Sequence, residues 1–351
     1  MKKWLVVLLC LALTLSLVAC GSNNQADRPA AGENEQNTAD AGNEAGNDSK
    51  KTIYFLTKIL GNQYWSVVEQ GARDAAEELG VNLVITGLAN EAEVEKQIQQ
   101  LQDAVSANAD GIVIGPTDST ALTIPVSEAH ASGIPIVIVD TMINSDDYDV
   151  AYMTNNIEAG RMAAEAMIRL LREAGVSEDE KAQIAVQIGS SGSQTIIDRL
   201  EGFNSYWDEH APEKWEVLND DIKVNDGDIS KAVGFTQDFL TTYPDLKGVF
   251  GPNNGSTVGF VIGLQEADRT DLAMVGFDFS PEMEDMIRSE KFHVATVVQR
   301  QYLMGYEGVK AAYELSEGKE PAEKLVDTGV LVVDINNIDD EEVQKIIDPT
   351  R

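Results

Sequence analysis

Residues 81–115 read VNLVITGLANEAEVEKQIQQLQDAVSANADGIVIG. VNLVIT and GIVIG are short apolar runs rich in β-branched residues, and a helix-period segment, EAEVEKQIQQLQDAVSA, lies between them. Strand, helix and strand in that order make a βαβ unit, whose two strands run parallel in one sheet. The runs are nearly continuous rather than alternating, so both faces of that sheet are covered by helices. The pattern repeats outward: TIYFLT precedes it, and IPIVIVD, AQIAVQIG, LKGVFG, LAMVGFD and HVATVV follow, with AGRMAAEAMIRLLREAG among the intervening helices. Roughly 300 residues of this alternation exceed one comfortable core, so the chain reads as α/β with two lobes.

The first residues differ in kind. Met1-Lys2-Lys3 is a short basic head, and Trp4 to Val18 is largely apolar. That run falls short of the roughly 20 residues a spanning helix needs, and small residues follow it, so residues 1–19 read as an export signal. Leu17-Val18-Ala19-Cys20 resembles the bacterial lipobox, in which the Cys is acylated and becomes the new N-terminus. An ordinary signal with an incidental Cys is the alternative. Cys20 is therefore expected to be lipidated, anchoring an extracytoplasmic protein to the cell membrane.

Cys10 and Cys20 are the 2 cysteines of the chain. Nothing in the expected folded part can form a disulfide, act as a catalytic thiol or bind metal through sulfur. Residues 21–51, GSNNQADRPAAGENEQNTADAGNEAGNDSKK, contain no Leu, Ile, Val, Phe, Tyr, Trp or Met. Such a segment cannot offset its ordering entropy, so residues 20–51 read as a lipidated Cys and a disordered tether, with a reach of roughly 30 Å. The formal net charge is -33. A surface this negative repels phosphate backbones, which excludes nucleic acid as a partner.

In open α/β sheets, ligands sit beyond the carboxyl ends of the strands. Lys58, Asn62, Tyr64 and Trp65 follow the first strand; Pro116-Thr117-Asp118-Ser119 follow GIVIG; Asp140 and Thr141 follow IPIVIV. Thr154-Asn155-Asn156 come after VAYM, and Gly189 to Ser193 after AQIAVQI, with Arg199 in the next helix. Asn253-Asn254, Asp278 and Gln299 end the later strands. These are amides, carboxylates, an Arg and two aromatics, without a nucleophile–base pair. Planar polar groups suit vicinal hydroxyls, charged partners strengthen those hydrogen bonds, and an aromatic face suits the C–H side of a sugar ring. Taken singly, each has a plainer reading. A strand-end Asp can cap the next helix, an aromatic can fill core, Arg199 can pair on the surface, and Lys58 can reach solvent over an apolar stem.

With those residues in view, the chain from Thr52 to about Val333 resembles the type I periplasmic sugar-binding proteins, ribose-binding proteins among them. The resemblance rests on NQYW, GPTDS, IPIVIVD, TNN-x-x-AG, DRLEGF, FGPNN, VGFD and ATVVQ. It implies two doubly wound parallel-sheet lobes joined by a three-segment hinge, closing on a monosaccharide that an ABC permease then imports. It assigns residues 52–154 with 300–327 to the N-terminal lobe and residues 155–299 with 328–351 to the C-terminal lobe. It points to Asn62, Tyr64, Trp65, Asp140, Arg199, Asn253, Asp278 and Gln299 as ligand contacts; Lys58, Thr141 and Asn155 complete the candidate set. No cofactor, metal or catalytic residue is expected, and the expected form is a monomer. The ribose-binding pattern carries Arg where Thr141 stands, Asn where Gly115 stands, and an aromatic near Gly227. Those departures bear on which sugar is bound. Asp140 and Asp278 balance Lys58 and Arg199, which favours a neutral monosaccharide or polyol, since a buried unpaired charge is costly.

Competing motifs are weaker. GSSGSQ lacks the Lys and spacing of a phosphate loop. NDDIKVNDGDIS puts Ile222 and Val224 at calcium-ligand positions. His130, His210 and His293 lie on separate elements without ligand spacing. A glycosidase would need Asp140 and Asp278 at set separations, and sugar-responsive repressors carry a helix-turn-helix where this chain has an export signal. A receptor presenting its sugar to a membrane sensor kinase would use the same pocket.

Overall fold

The computed structural model describes residues 50–349. The export signal, Cys20 and all but the last residues of the tether lie outside the described residues. In chain order the elements are β1 (Thr52–Ile59), α1 (Gln63–Leu79), β2 (Asn82–Leu88), α2 (Val94–Ser106), β3 (Gly111–Ile114), α3 (Thr123–Ala131), β4 (Ile136–Val139) and β5 (Val150–Met153). There follow α4 (Asn156–Glu173), β6 (Ala182–Ile188), α5 (Gln194–His210), β7 (Trp215–Val217), β8 (Lys223–Val224), α6 (Ile229–Thr242), β9 (Leu246–Gly251), α7 (Asn254–Glu266), β10 (Ala273–Phe277), α8 (Pro281–Arg288) and β11 (His293–Gln299). Last come α9 (Gln301–Ser316), β12 (Leu325–Asp327), β13 (Val330–Val333) and α10 (Glu341–Ile347).

The strands form two sheets, ordered β12-β5-β4-β3-β1-β2 and β13-β11-β10-β9-β6-β7, with β8 also on β6. Period-two alternation sorts each strand's side chains onto opposite faces. In the first sheet Phe55, Val113, Val137 and Val139 pack under α1 and α9, whereas Leu56, Ile112, Ile114 and Ile138 face α2 and α3. The second sheet repeats the scheme, with Ile184, Val186, Phe250 and Val275 under α4 and α5, and Val249 and Met274 under α6, α7 and α8. This is the two-lobed α/β architecture expected from the apolar runs.

The chain leaves the first sheet after β5, returns to it after β11, and crosses again after β12. One strand departs from the all-parallel reading: β13 pairs antiparallel with β11, Val330 opposite Gln299. The carboxyl ends of the parallel strands meet at the crossings, so a strand entering its sheet from there must run the other way. A second difference concerns the helix read from Glu91 onward, which begins at Val94 and leaves Glu91 in the preceding turn.

In each lobe one helix pair crosses at very short range through reciprocal glycines. A Cβ on Gly71 of α1 would stand 2.1 Å from Tyr302 O, and one on Gly305 of α9 would stand 1.8 Å from Val68 O. Between α4 and α5, a Cβ on Gly160 would meet Arg199 O at 2.1 Å, and one on Gly202 would meet Ile157 O at 2.0 Å.

Candidate ligand-binding site

β4 and β10 hold the same place in their sheets, fourth from β2 and from β7, and each delivers an aspartate from its carboxyl end. Asp140 and Asp278 both have left-handed backbones, φ 66° and 69°, which a non-glycine residue adopts only when its surroundings enforce it. In each case the amide is tied to the neighbouring strand: Asp140 N–H donates to Tyr152 O and Asp278 N–H to Val297 O. The two carboxyls thereby face one cavity between the sheets, with about 450 Å³ of space including its mouth.

On the first-sheet side, Lys58 Nζ lies 2.8 Å from Asp140 Oδ2 and donates to Thr141 Oγ1 at 2.5 Å. Tyr64 OH donates to Asp140 Oδ1 at 2.8 Å, and Thr141 Oγ1 donates to Oδ2 at 2.7 Å. Burial alone would raise the Asp140 carboxyl; Lys58 and then Arg199, with the Lys58 and Thr141 hydrogen bonds, outweigh it and hold the pKa below the ordinary range. Tyr64 is pushed well up, by burial and by the carboxylates of Asp140 and Asp278, so it stays a donor. Both aromatics after the first strand serve core and site together. They meet edge to face, 5.3 Å between ring centres, within the core under α1, and both also line the cavity. Gly115 makes room for the indole, because a Cβ there would lie 2.4 Å from Trp65 Cη2.

On the other side, Arg199 is 2 % exposed. Its Nε donates to Asn156 Oδ1 at 2.9 Å and its Nη1 to Pro252 O at 2.7 Å, and the guanidinium lies 4.1 Å from the centre of the Phe277 ring. Nη2 is buried without a partner. Gln299 Nε2 donates to Asp278 Oδ1 at 2.8 Å, and Thr154 Oγ1 donates to Gln299 Oε1 at 2.9 Å. Burial pushes the Asp278 carboxyl up to about 6, against the pull of Arg199 and Gln299 and with some help from Asp140. Asn253 Oδ1 accepts from Ser256 Oγ at 2.5 Å. Asn254 Oδ1 accepts from Asn62 Nδ2 across the gap at 3.0 Å, leaving Asn254 Nδ2 buried and unpartnered.

Of the candidates read from the sequence, Lys58, Asn62, Tyr64, Trp65, Asp140, Arg199, Asn253, Asp278 and Gln299 line this cavity. Thr141 sits just behind it, bridging Lys58 and Asp140. Asn155 lies apart: it is exposed and its side chain caps α4 by accepting from Glu158 N, while its neighbour Asn156 orients Arg199.

Glu91 also lines the cavity, and strand-end reading missed it because it stands three residues beyond β2, inside what reads as the first turn of a helix. A search of the whole β2–α2 turn, which is itself a strand's carboxyl end, would have found it. Burial raises its carboxyl, against the opposing charge of Lys58 and with Asp140 and Asp226 adding to the rise. The lining thus holds three carboxyls and two cations, so the balance of four charges read from the sequence is incomplete. Among the described residues no cluster of three or more His, Cys, Asp or Glu is arranged to hold a metal ion, and no helix is long and apolar enough to cross a membrane.

Residues 53–320 match the model of a family described as the periplasmic binding protein domain. The ribose import binding protein of Salmonella typhimurium (strain LT2) is 28% identical over 272 residues, spanning 78% of this chain and 87% of that protein. The D-apiose import binding protein of Actinobacillus succinogenes is 27% identical over 292 residues, 81% of this chain and 88% of that one. A solved carbohydrate transporter solute binding protein from Agrobacterium radiobacter, in complex with D-arabinose, superposes with a TM-score of 0.80 at 29% identity, covering 86% of this chain and 99% of that one. An ABC transporter solute binding protein from Agrobacterium vitis with bound D-fucose gives a TM-score of 0.78 at 29% identity, covering 84% and 99%.

Proposed function

Because the chain belongs to the periplasmic binding protein family, whose domain its residues 53–320 match, we propose that it is an extracytoplasmic solute-binding lipoprotein. It captures a neutral monosaccharide or similar polyol between its lobes and delivers it to an ABC importer. The relatives named above bind or import ribose, apiose, arabinose and fucose, and they are binding proteins of sugar transport, not enzymes.

The observation that carries the reading is the pairing inside the cavity. Asp140 is held by Lys58 and Asp278 by Gln299, while Arg199 Nη2 and Asn254 Nδ2 keep donors with no partner. A buried donor left unsatisfied costs roughly 1–3 kcal/mol, and hydroxyl and ring oxygens of a sugar can satisfy both. Neutral guests fit the charge. Asp278, with its pKa at about 6, can hold a proton near neutrality at small cost, whereas a guest bearing a carboxylate or phosphate would add to an excess of negative groups.

A thermal-shift screen of neutral sugars, polyols and sugar acids, followed by calorimetry on the hits, tests the reading. Hits among neutral sugars support it, and hits confined to sugar acids overturn it. The anchor is a separate step: Cys20→Ala should leave the protein unprocessed or release it from the membrane fraction, and fatty-acid labelling that survives the substitution would refute lipidation at Cys20.

A further inference from the structure

Glu91 belongs to the first-sheet half of the molecule but reaches the second. Its backbone N–H donates to Asp226 O at 3.0 Å, and its carbonyl accepts from Thr117 Oγ1 at 2.8 Å, which pins the turn on both sides. The side chain lies close against Gly189 and within ordinary contact of Gly227. A Cβ on Gly189 would lie 2.7 Å from Glu91 Oε2 and 2.8 Å from Asn253 Nδ2, and a Cβ on Gly227 would lie 3.6 Å from Glu91 Oε1. Among the described residues the Glu91 carboxylate makes no hydrogen bond or ion pair, although it lines the same cavity as the unpartnered Arg199 Nη2 and Asn254 Nδ2. The two cations of the cavity are engaged elsewhere: Lys58 with Asp140, and Arg199 with Asn156 and Pro252 O.

An unpaired carboxylate lining the same cavity as two unpaired donors defines what a guest must offer: a donor for the one and acceptors for the others. A polyhydroxylated ring offers both. We propose that Glu91 is a specificity-determining contact of this cavity, accepting a hydrogen bond from a guest hydroxyl on the Asn253 side and disfavouring acidic guests by a carboxyl that has no ion-pair partner of its own. This rests on the sugar-binding reading above and names the residue that narrows it. Gly189 is its structural counterpart, since a side chain there would crowd the carboxylate and Asn253. At Gly227, where ribose-binding relatives are expected to present an aromatic, the wall is instead completed from the other lobe by Ile59, whose Cδ1 would lie 2.5 Å from a Cβ there.

The test is calorimetric titration of the wild type, Glu91→Gln and Glu91→Ala with D-ribose, D-arabinose, D-allose, D-fucose and D-galacturonate, then with monodeoxy analogues of the sugar bound most tightly. Glu91→Gln keeps the shape of the side chain and guards against simple misfolding, which the melting curve of each variant reports. The expected result has three parts. Glu91→Ala weakens the best neutral sugar tenfold or more. Glu91→Gln lowers the preference for that sugar over D-galacturonate by a similar factor. One monodeoxy analogue is penalised by the wild type but not by Glu91→Ala. Wild-type affinity and selectivity in both folded variants would overturn the role of Glu91 while leaving sugar binding intact. Tight binding of D-galacturonate by the wild type would overturn the discrimination against acidic guests. A wild type that binds none of the neutral sugars would remove the parent reading, and this one with it.

Discussion

Asp140 and Asp278 stand at matching places in two matching sheets, yet their surroundings set their protons apart. Asp140 has a lysine at 2.8 Å, a tyrosine and a threonine on its oxygens, whereas Asp278 has a neutral amide and a guanidinium that bonds elsewhere. With its pKa at about 6 in the fold against an ordinary 3.8, Asp278 binds its proton more tightly folded than unfolded. Its contribution to stability is therefore present below about 3.8 and is lost as pH rises through about 6, a loss of roughly 3 kcal/mol by neutrality. Glu91 shifts in the same direction, and Asp140, held low, titrates below that window. Asp278→Asn keeps a residue that tolerates the left-handed backbone and removes the ionisation. Its melting temperature should match the wild type near pH 4 and exceed it by several degrees at pH 7, with sugar binding weakened. A difference that stays flat across that range would contradict the shift. The residues of this pair were legible in the sequence because each ends an unmistakable apolar run. The ionisation contrast was not, since it depends on Lys58 of β1 reaching Asp140 at the end of β4 past the intervening β3. Glu91 was hidden differently: an acidic residue ahead of a helix reads as a first-turn charge until the turn is seen to touch Asp226 of the other lobe.

The helices that carry the site are seated by backbone contact rather than by side chains. Gly160 and Gly202 let α4 and α5 approach until Arg199 O and Ile157 O occupy the places of the missing Cβ atoms, and Gly71 and Gly305 do the same for α1 and α9. Adding a methyl group forces the pair apart, because neither neighbour is the mobile end of a side chain. Overpacking of this kind costs typically about 1–3 kcal/mol. The two crossings differ in consequence. Gly160 abuts the carbonyl of Arg199 itself, so Gly160→Ala should shift α5 and weaken sugar affinity as well as stability. Gly305→Ala lies against Val68, one turn beyond the Tyr64 and Trp65 end of α1, and should cost mainly stability. Paired melting curves and titrations of the two variants check this, and equal loss of affinity in both would contradict it. The principal elements were readable from period, since β3 and β4 are wholly buried four-residue runs and α1 is bracketed by Asn62, whose side chain accepts from Trp65 N, and by a left-handed Gly80, whereas the two- and three-residue strands β7, β8 and β12 are too short to show one. The reversed β13 was not readable, because its direction follows from the hinge it emerges from and not from its own residues.

At the scale of the molecule, the two halves meet through contacts that only their approach can form. Ser119 N–H donates to Gly192 O at 2.9 Å, Gln194 N–H donates to Ser119 Oγ at 2.9 Å, and Thr195 Oγ1 donates to Asp140 O at 2.7 Å. Three chain crossings with a polar cavity between them make a hinge, and a guest that touches both halves favours the closed arrangement by its differential contacts. If so, affinity depends on how readily the halves approach, apart from the cavity walls: the apparent dissociation constant rises as the closure-competent fraction falls. Gly192 offers a way to separate the two effects. A Cβ there would stand 2.0 Å from Asp118 Oδ2 of the opposite half, and neither Gly192 nor Asp118 lines the cavity. Gly192→Val should therefore hold the rim open without altering a ligand contact. A rim cost of about 1.4 kcal/mol would weaken a confirmed sugar about tenfold. Solution scattering should show the wild type compacting on saturation with that sugar, and the variant should compact only at correspondingly higher sugar concentration. Unchanged affinity together with wild-type compaction would mean that the rim does not govern closure, and the contacts at Ser119 and Gln194 would then be a consequence of closing without controlling it.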